Sequence, residues 1–438
     1  MQDNLQAGQS KIKELLRYVI PSMGAMLVSA LYSVVDGIFV GRGVGDIGLA
    51  AVNLSIPVLG FLAAMAVMLV MGSATIASVS MGKGDKQRAN DIFSNSVFIL
   101  SVFSLIFTIS CLFFADKFAA WSGAEGELLV QTATYMRSYL GFGFFFAISY
   151  LLSAFVRNDG NPSLAFWGMA SGTVCNIFLD WLFIFPLKMG ILGAGLASGI
   201  GTVLSFSILI THFIRKRGEL RLRKPKFSKE LTLETIKRGF PEFVTQMYTP
   251  VLISCYNFVI MGIYGEMGIS SFSMIGYLLS IMMAMYSGVA QGVQPLISRS
   301  FGEGNTKAEK YYFRSGLKTN IIISSVAYVL VLLIGKQIYG IFSSDADIIS
   351  LAYFGTYFFG AAMIISSINA SYASYFLSTQ RTRQALFLAI ARSFIFTAPF
   401  VLLIPAIFGD GMVWGGMIVS ELCVAVFAIV LYRRLQRK

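Results

Sequence analysis

The 438 residues are 56% hydrophobic and 13% charged, with a mean hydropathy of +0.72. Soluble domains carry about 25% charged residues, so this composition excludes an ordinary soluble globular chain. The net charge of +12 is no nucleic-acid footprint, because most of the Lys and Arg sit in short segments between long apolar runs.

The chain opens on a polar stretch, Met1 to Ser10, and then Lys11, Lys13 and Arg17 lead into the first apolar run. That run is too long for the apolar region of a signal peptide, so it reads as a retained helix. A helix needs about 20 mainly apolar residues to cross a bilayer, and twelve stretches qualify. They are Leu15–Val40, Leu49–Met81, Ile92–Ala115, Val130–Val156, Leu164–Phe185 and Ile191–Ile214 in the first half. Phe240–Tyr264, Ile269–Ile297, Leu317–Ile334, Ile348–Leu377, Leu386–Phe408 and Met412–Leu431 follow in the second. When alternate connections are assigned to the cytoplasm, only Arg42, Lys117, Arg137, Lys188 and Lys336 of the 34 Lys and Arg fall on the far side. The positive-inside rule then puts both termini in the cytoplasm.

The longest charged connection, Arg215 to Arg238, divides the chain six spans against six. The expected domains are residues 1–214, a basic linker at 215–238, and residues 239–438. The halves repeat one another. At an offset of 220, Pro21 meets Pro241, Gly72 meets Gly292, and Ser78 and Ser80 meet Ser298 and Ser300. Gly82 and Gly84 likewise meet Gly302 and Gly304, and Ser149-Tyr150 recurs as Ser371-Tyr372 at a slightly different offset. An even number of spans per repeat makes the repeats parallel. The expected fold is therefore an all-α polytopic membrane protein, with twelve transmembrane helices in two six-helix bundles related by a pseudo-two-fold axis along the membrane normal.

Asp36 and Asp180 carry the chemistry. Each is a carboxylate inside a membrane span, costly there by about 2.5–3.5 kcal/mol on insertion scales, and such groups mark ion, proton or substrate pathways. Asp36 precedes Arg42 by six residues and Asp180 precedes Pro186 by six, which places both roughly 9 Å below the same ends of parallel helices. Asn176 shares a helix face with Asp180. Two carboxylates and an amide can hold a proton or, if sodium is the coupling ion, act as metal ligands. In the second half Asn257 aligns with Asp36 once one residue of slippage is allowed, so an amide replaces the acid. Gln246, Asn257, Gln291 and Gln294 are expected to shape a substrate cavity there. Glu421 is mid-span and is a candidate for binding a cationic substrate or for a hydrogen-bonding role. Tyr135, Tyr139, Tyr256 and Tyr277 offer ring faces to flat organic cations. Arg392 is expected to snorkel towards the cytoplasm. His212, the only histidine, reads as interfacial, and Cys111, Cys175, Cys255 and Cys423, all inside apolar spans, as membrane-buried thiols without metal-ligand spacing. No nucleophile or metal constellation supports an enzyme.

Three motifs resemble the multidrug and toxic compound extrusion (MATE) family. They are Val35-Asp36-Gly37-Ile38-Phe39-Val40-Gly41, Asn176-Ile177-Phe178-Leu179-Asp180 and Arg157-Asn158-Asp159-Gly160-Asn161-Pro162. The similarity covers all twelve spans and is nearest to the bacterial MepA-like branch of the DinF-like set. It implies an antiporter in a bacterial inner membrane, exporting cationic or amphipathic drugs in exchange for H⁺ or Na⁺, with no other cofactor. It also implies that Asp36, Asn176 and Asp180 form a cation site, with Ser198 as a sixth-helix hydroxyl and Tyr135 or Tyr139 as the fourth-helix tyrosine. The chain departs from the NorM-like pattern where Thr249, Ser366 and Asn369 stand at second-half positions that are acidic there. A monomer in the lipid bilayer is expected, without nucleic-acid partners. A flippase for lipid-linked precursors is the alternative within the same superfamily.

Overall fold

A computed structural model describes residues 2–223, 227–343 and 345–436, with side chains from residue 10 onwards. The described residues are helical almost throughout. The first compact unit, Met1–Gly239, contains α1 (Gln2–Gly43), α2 (Asp46–Gly82), α3 (Lys86–Trp121), α4 (Gly126–Leu140), α5 (Gly143–Asn158), α6 (Pro162–Ile184) and α7 (Gly190–Ile214). The second unit, Phe240–Lys438, begins within α8 (Lys229–Thr245). It continues through α9 (Tyr248–Gly302), α10 (Thr306–Phe342), α11 (Ala346–Ser378), α12 (Thr382–Ile390), α13 (Thr397–Phe408) and α14 (Gly416–Gln436).

Nine described stretches are long and apolar enough to span a bilayer, and the bent pair α4 and α5 makes a tenth. The 74-residue stretch Lys229–Gly302 is broken at Gly265, whose φ of 60° and ψ of −146° are non-helical. Beyond that break the chain doubles back: the rings of Tyr256 and Phe272 stack at 5.1 Å, whereas a straight helix would hold residues sixteen apart about 24 Å from one another. Glycine, lacking Cβ, takes this positive φ without strain. Finally, α6, with 23 residues, is about 35 Å long and sufficient to cross. Twelve spans result, six in each unit. The basic connection Arg215 to Arg238 packs with the first unit, and its residues 224–226 lie outside the described residues.

Local chemistry explains the breaks. At Gly141-Phe142 the fourth span bends by 46°. The Thr108 hydroxyl of α3 accepts the Phe144 amide there at 3.1 Å, supplying a partner that the interrupted helix cannot. The duplication is visible in backbone detail. Asp85 caps α3 by accepting from the Arg88 amide at 2.9 Å, and Asn305 caps α10 by accepting from the Ala308 amide at 3.0 Å. The glycines just before these caps both have positive φ, 78° at Gly84 and 70° at Gly304.

Candidate functional site

In the first unit α1 packs on α6, and α6 on α7. Glycines set the second distance. A Cβ on Gly172 of α6 would stand 2.5 Å from the Gly201 carbonyl oxygen of α7, and one on Gly201 would stand 2.7 Å from the Gly172 carbonyl. Such backbone approach is what small residues allow in membrane helices. It brings Asn176 against α7, where Asn176 Nδ2 donates to Ser198 Oγ at 3.2 Å. From α1, the Tyr32 hydroxyl meets the same Ser198 Oγ at 3.0 Å. Tyr32 and Asp36 are four residues apart on one helix face, as are Asn176 and Asp180.

Asp36, Asn176, Asp180 and Ser198 are all buried, Asp180 to 0% exposure. The two carboxyls are close enough to share a hydrogen bond when one of them is protonated. The Tyr32, Tyr135 and Tyr139 hydroxyls lie within electrostatic reach of Asp36, and the Tyr135 and Tyr139 rings are 6.0 Å apart. Among the described residues, Asp36 Oδ1, Asn176 Oδ1 and both carboxyl oxygens of Asp180 accept no well-formed hydrogen bond, although Asn176 and Asp36 lie close to the Asp180 carboxyl. Buried oxygens rarely go without partners, and four together make a set of hard acceptors suited to a proton or a small cation. A cavity of about 210 Å³ lies beside Asn176, walled also by Tyr32, Tyr139 and Ser198; Asp36 and Asp180 do not line it. The structure thus gathers all six first-half candidates, and adds Tyr32, which the sequence reading had overlooked. Its signal was the spacing of four before Asp36.

The second unit treats its buried acid differently. Glu421 Oε1 accepts from Tyr248 Oη at 2.6 Å and from Arg392 Nε at 3.1 Å and Nη2 at 3.0 Å. Glu421 Oε2 accepts from Asn369 Nδ2 at 2.6 Å. Ser366 Oγ bonds both Glu421 and Arg392. Arg392 is buried, not snorkelling, and its guanidinium lies 4.1 Å from the centre of the Tyr248 ring. It occupies a π-helical segment, Ala391–Phe396, whose wider turn carries it into this network. Glu421 is therefore fully engaged within its own unit.

The other second-half candidates are spread between the core and the surface of the unit. Tyr256 is completely buried; its hydroxyl accepts the Met417 amide at 3.0 Å. Gln294 is buried and donates to Ser298 Oγ at 3.3 Å. Gln246 and Asn257 are exposed on the unit's surface and Gln291 is half-buried. Tyr277 stacks on Phe342 with ring centres 5.3 Å apart.

His212, in the last turn of α7, is buried in the protein. It is 1% exposed, and its Nε2 lies 2.9 Å from Asp159 Oδ2. Asp159 also accepts the Glu219 amide at 2.7 Å and the Leu220 amide at 3.2 Å, so this buried pair pins the start of the basic connection to the turn between α5 and α6. Asp159 was visible in the sequence as part of a motif, but nothing in the spacing linked it to a histidine 53 residues away.

Twelve helical spans in two units, with carboxylates buried inside them, define a polytopic membrane protein. The MatE family model matches residues 21–182 and 243–403, and the chain belongs to the MatE family. It is 26% identical over 426 residues to a multidrug export protein, MepA, of Staphylococcus saprophyticus, covering 97% of this chain and 94% of that one. A MepA of Staphylococcus aureus is also 26% identical, over 96% of this chain and 93% of the relative. The fold matches the outward-facing structure of a multidrug resistance MATE family transporter of the MOP superfamily. That match has a TM-score of 0.91 and 23% identity, over 97% of this chain and 95% of that one.

Proposed function

We propose that this protein is a multidrug efflux antiporter of a bacterial plasma membrane, exporting organic cations and amphipathic drugs in exchange for H⁺ or Na⁺ by rocker-switch alternating access. The observation that carries the reading is the set of unpartnered oxygens on Asp36, Asn176 and Asp180. Two neighbouring carboxyls in a low-dielectric site disfavour double ionisation, so binding one proton or one cation relieves the pair. Ser198 and the tyrosines Tyr32, Tyr135 and Tyr139 hold the surrounding polar groups in place and supply further oxygens. Loading and release of the coupling ion at this site would bias the exporter between its two access states, as differential affinity requires. Export by the MepA relatives supports the same substrate class. The competing reading, a flippase for lipid-linked precursors, calls for an interior cation free to meet pyrophosphate; Arg392 is committed to Glu421, and a second buried arginine, Arg157, stands in the last turn of α5 at the end of its span.

The test is ethidium efflux from proteoliposomes under a pH gradient alone and a Na⁺ gradient alone, for wild type and Asp180→Asn. Gradient-driven efflux that disappears in the variant supports the reading and names the ion. No efflux from wild type under either gradient, with lipid-linked precursor moved instead, would overturn it.

A further inference from the structure

The duplicated fold uses the same helix face in two ways. In the first unit, α3 carries the basic connection along its side. The Arg221 amide donates to Asn90 Oδ1 at 2.6 Å, the Arg223 amide to Ser94 Oγ at 2.9 Å, and the Ser228 amide to Asn95 Oδ1 at 3.1 Å. One turn further, Phe227 packs edge-on against Phe98. At the offset of 220, which the matching caps Asp85 and Asn305 fix in the structure, these four positions become Lys310, Arg314, Ser315 and Lys318 of α10. Three of the four side chains that hold a covering chain in unit 1 are thus cations in unit 2. No backbone amide of the described residues hydrogen-bonds to them.

Lys307, Lys310, Arg314 and Lys318 follow the helical repeat along one face of α10. They line a recess of about 410 Å³ together with Tyr311 and Ser315. Among the described residues no acidic side chain forms an ion pair with any of the four. The same face continues towards the membrane interior as Ile322, Val326, Val329 and Leu333, all more than half exposed. A cluster of cations leading directly into an exposed apolar stripe matches an amphiphile with an anionic head and hydrocarbon tails. A soluble anion or an acidic peptide would have no use for the stripe.

From this juxtaposition we infer that the N-terminal half of α10 is a binding site for an anionic phospholipid. Its phosphate sits among Lys310, Arg314 and Lys318, and its acyl chains lie along Ile322 to Leu333. Lys307 extends the cationic rim. By the distribution of positive charge, this end of α10 faces the cytoplasmic leaflet, where anionic headgroups meet juxtamembrane basic clusters. The inference does not depend on the transport reading, since no residue of the carboxylate cluster takes part.

The test uses the full-length protein in nanodiscs of phosphatidylcholine doped with phosphatidylglycerol. Bound lipid is counted by native mass spectrometry, and the site is mapped with a photoactivatable phosphatidylglycerol. Wild type is expected to retain phosphatidylglycerol over phosphatidylcholine, with the label on residues 307–333. Retention should fall about fivefold for each charge removed in the series Lys310→Gln, Arg314→Gln, Lys318→Gln. Arg42→Gln with Lys188→Gln and Lys336→Gln should leave it unchanged. Arg314→Lys, which keeps the charge, should retain the lipid and so separates lost binding from lost folding. Label elsewhere in wild type, or equal retention by the glutamine series, would overturn the site. Displacement by soluble glycerol phosphate or by polyglutamate as readily as by the lipid would overturn the lipid as its occupant.

Discussion

The two units bury carboxylates in opposite manners. In the second, Glu421 is saturated by Arg392, Tyr248, Ser366 and Asn369. In the first, Asp36 and Asp180 are also buried but accept no well-formed hydrogen bond on three of their oxygens. A buried charge with every lone pair occupied has one stable state, and it fastens helices together. A buried acid pair without partners has two states separated by one proton or one cation. Duplication supplied the same six-span frame twice; the side chains then paired the buried acid in one copy and left the acids of the other without well-formed partners.

The comparison can be broken most sharply by conservative amide substitutions. Asp36→Asn or Asp180→Asn should abolish gradient-driven ethidium efflux while leaving the protein folded in size-exclusion chromatography. Full activity in both variants would remove the first unit's special status. Glu421 and Arg392 should behave the other way. Glu421→Gln or Arg392→Met leaves one buried charge uncompensated, with an expected loss of about 3–5 kcal/mol of stability. The double variant Arg392→Met with Glu421→Leu should recover much of that loss, as read by thermal unfolding in detergent. If the double variant is no better than the singles, the pair is not a structural tie.

Packing between α6 and α7 comes next in expected effect. Gly172→Val puts side-chain atoms against Ser205 and the Gly201 carbonyl. Overpacking of this kind costs typically about 1–3 kcal/mol, and it should weaken transport by moving Asn176 away from Ser198. A transport rate equal to wild type would show that their contact at 3.2 Å is dispensable. The smallest effect is expected from Tyr32→Phe. Removing one hydrogen bond to Ser198 changes the local balance by about 0.5–1.5 kcal/mol, which corresponds to no more than about a tenfold change in apparent affinity for the coupling ion in a titrated efflux assay.

Much of the architecture was legible because membranes impose simple rules. Apolar length gave the twelve spans, and the 220-residue offset gave the division into two copies. Two acids inside apolar runs marked the candidate site, since such residues seldom persist at that depth without a task. The second half was harder to read. Glu421 could be read as a substrate-binding acid or as a hydrogen-bonding one, and the sequence did not decide, because its partner Arg392 is 29 residues away on another helix, and a π-helical turn that local sequence does not announce rotates Arg392 inwards. The burial of His212 was not legible, because the aspartate that pairs with it lies beyond an intervening span. Tyr256 and Asn257 are adjacent in sequence yet end on different faces, one in the core and one on the surface, because a helix turns about 100° per residue.

The sequence by itself determined the class of this protein: its membrane spans, its duplication and the residues that are expensive to keep there. These depend on composition and spacing, which act through the bilayer whatever the chain's final packing. Only the tertiary structure decided which buried charges are neutralised. Electrostatic pairing falls off over a few ångströms, and whether two side chains come within that range depends on helix rotation, on glycine-to-glycine approach and on the break at Gly265. It was also the packing that covered one face of α3 with backbone and left its counterpart on α10 as a bare row of cations.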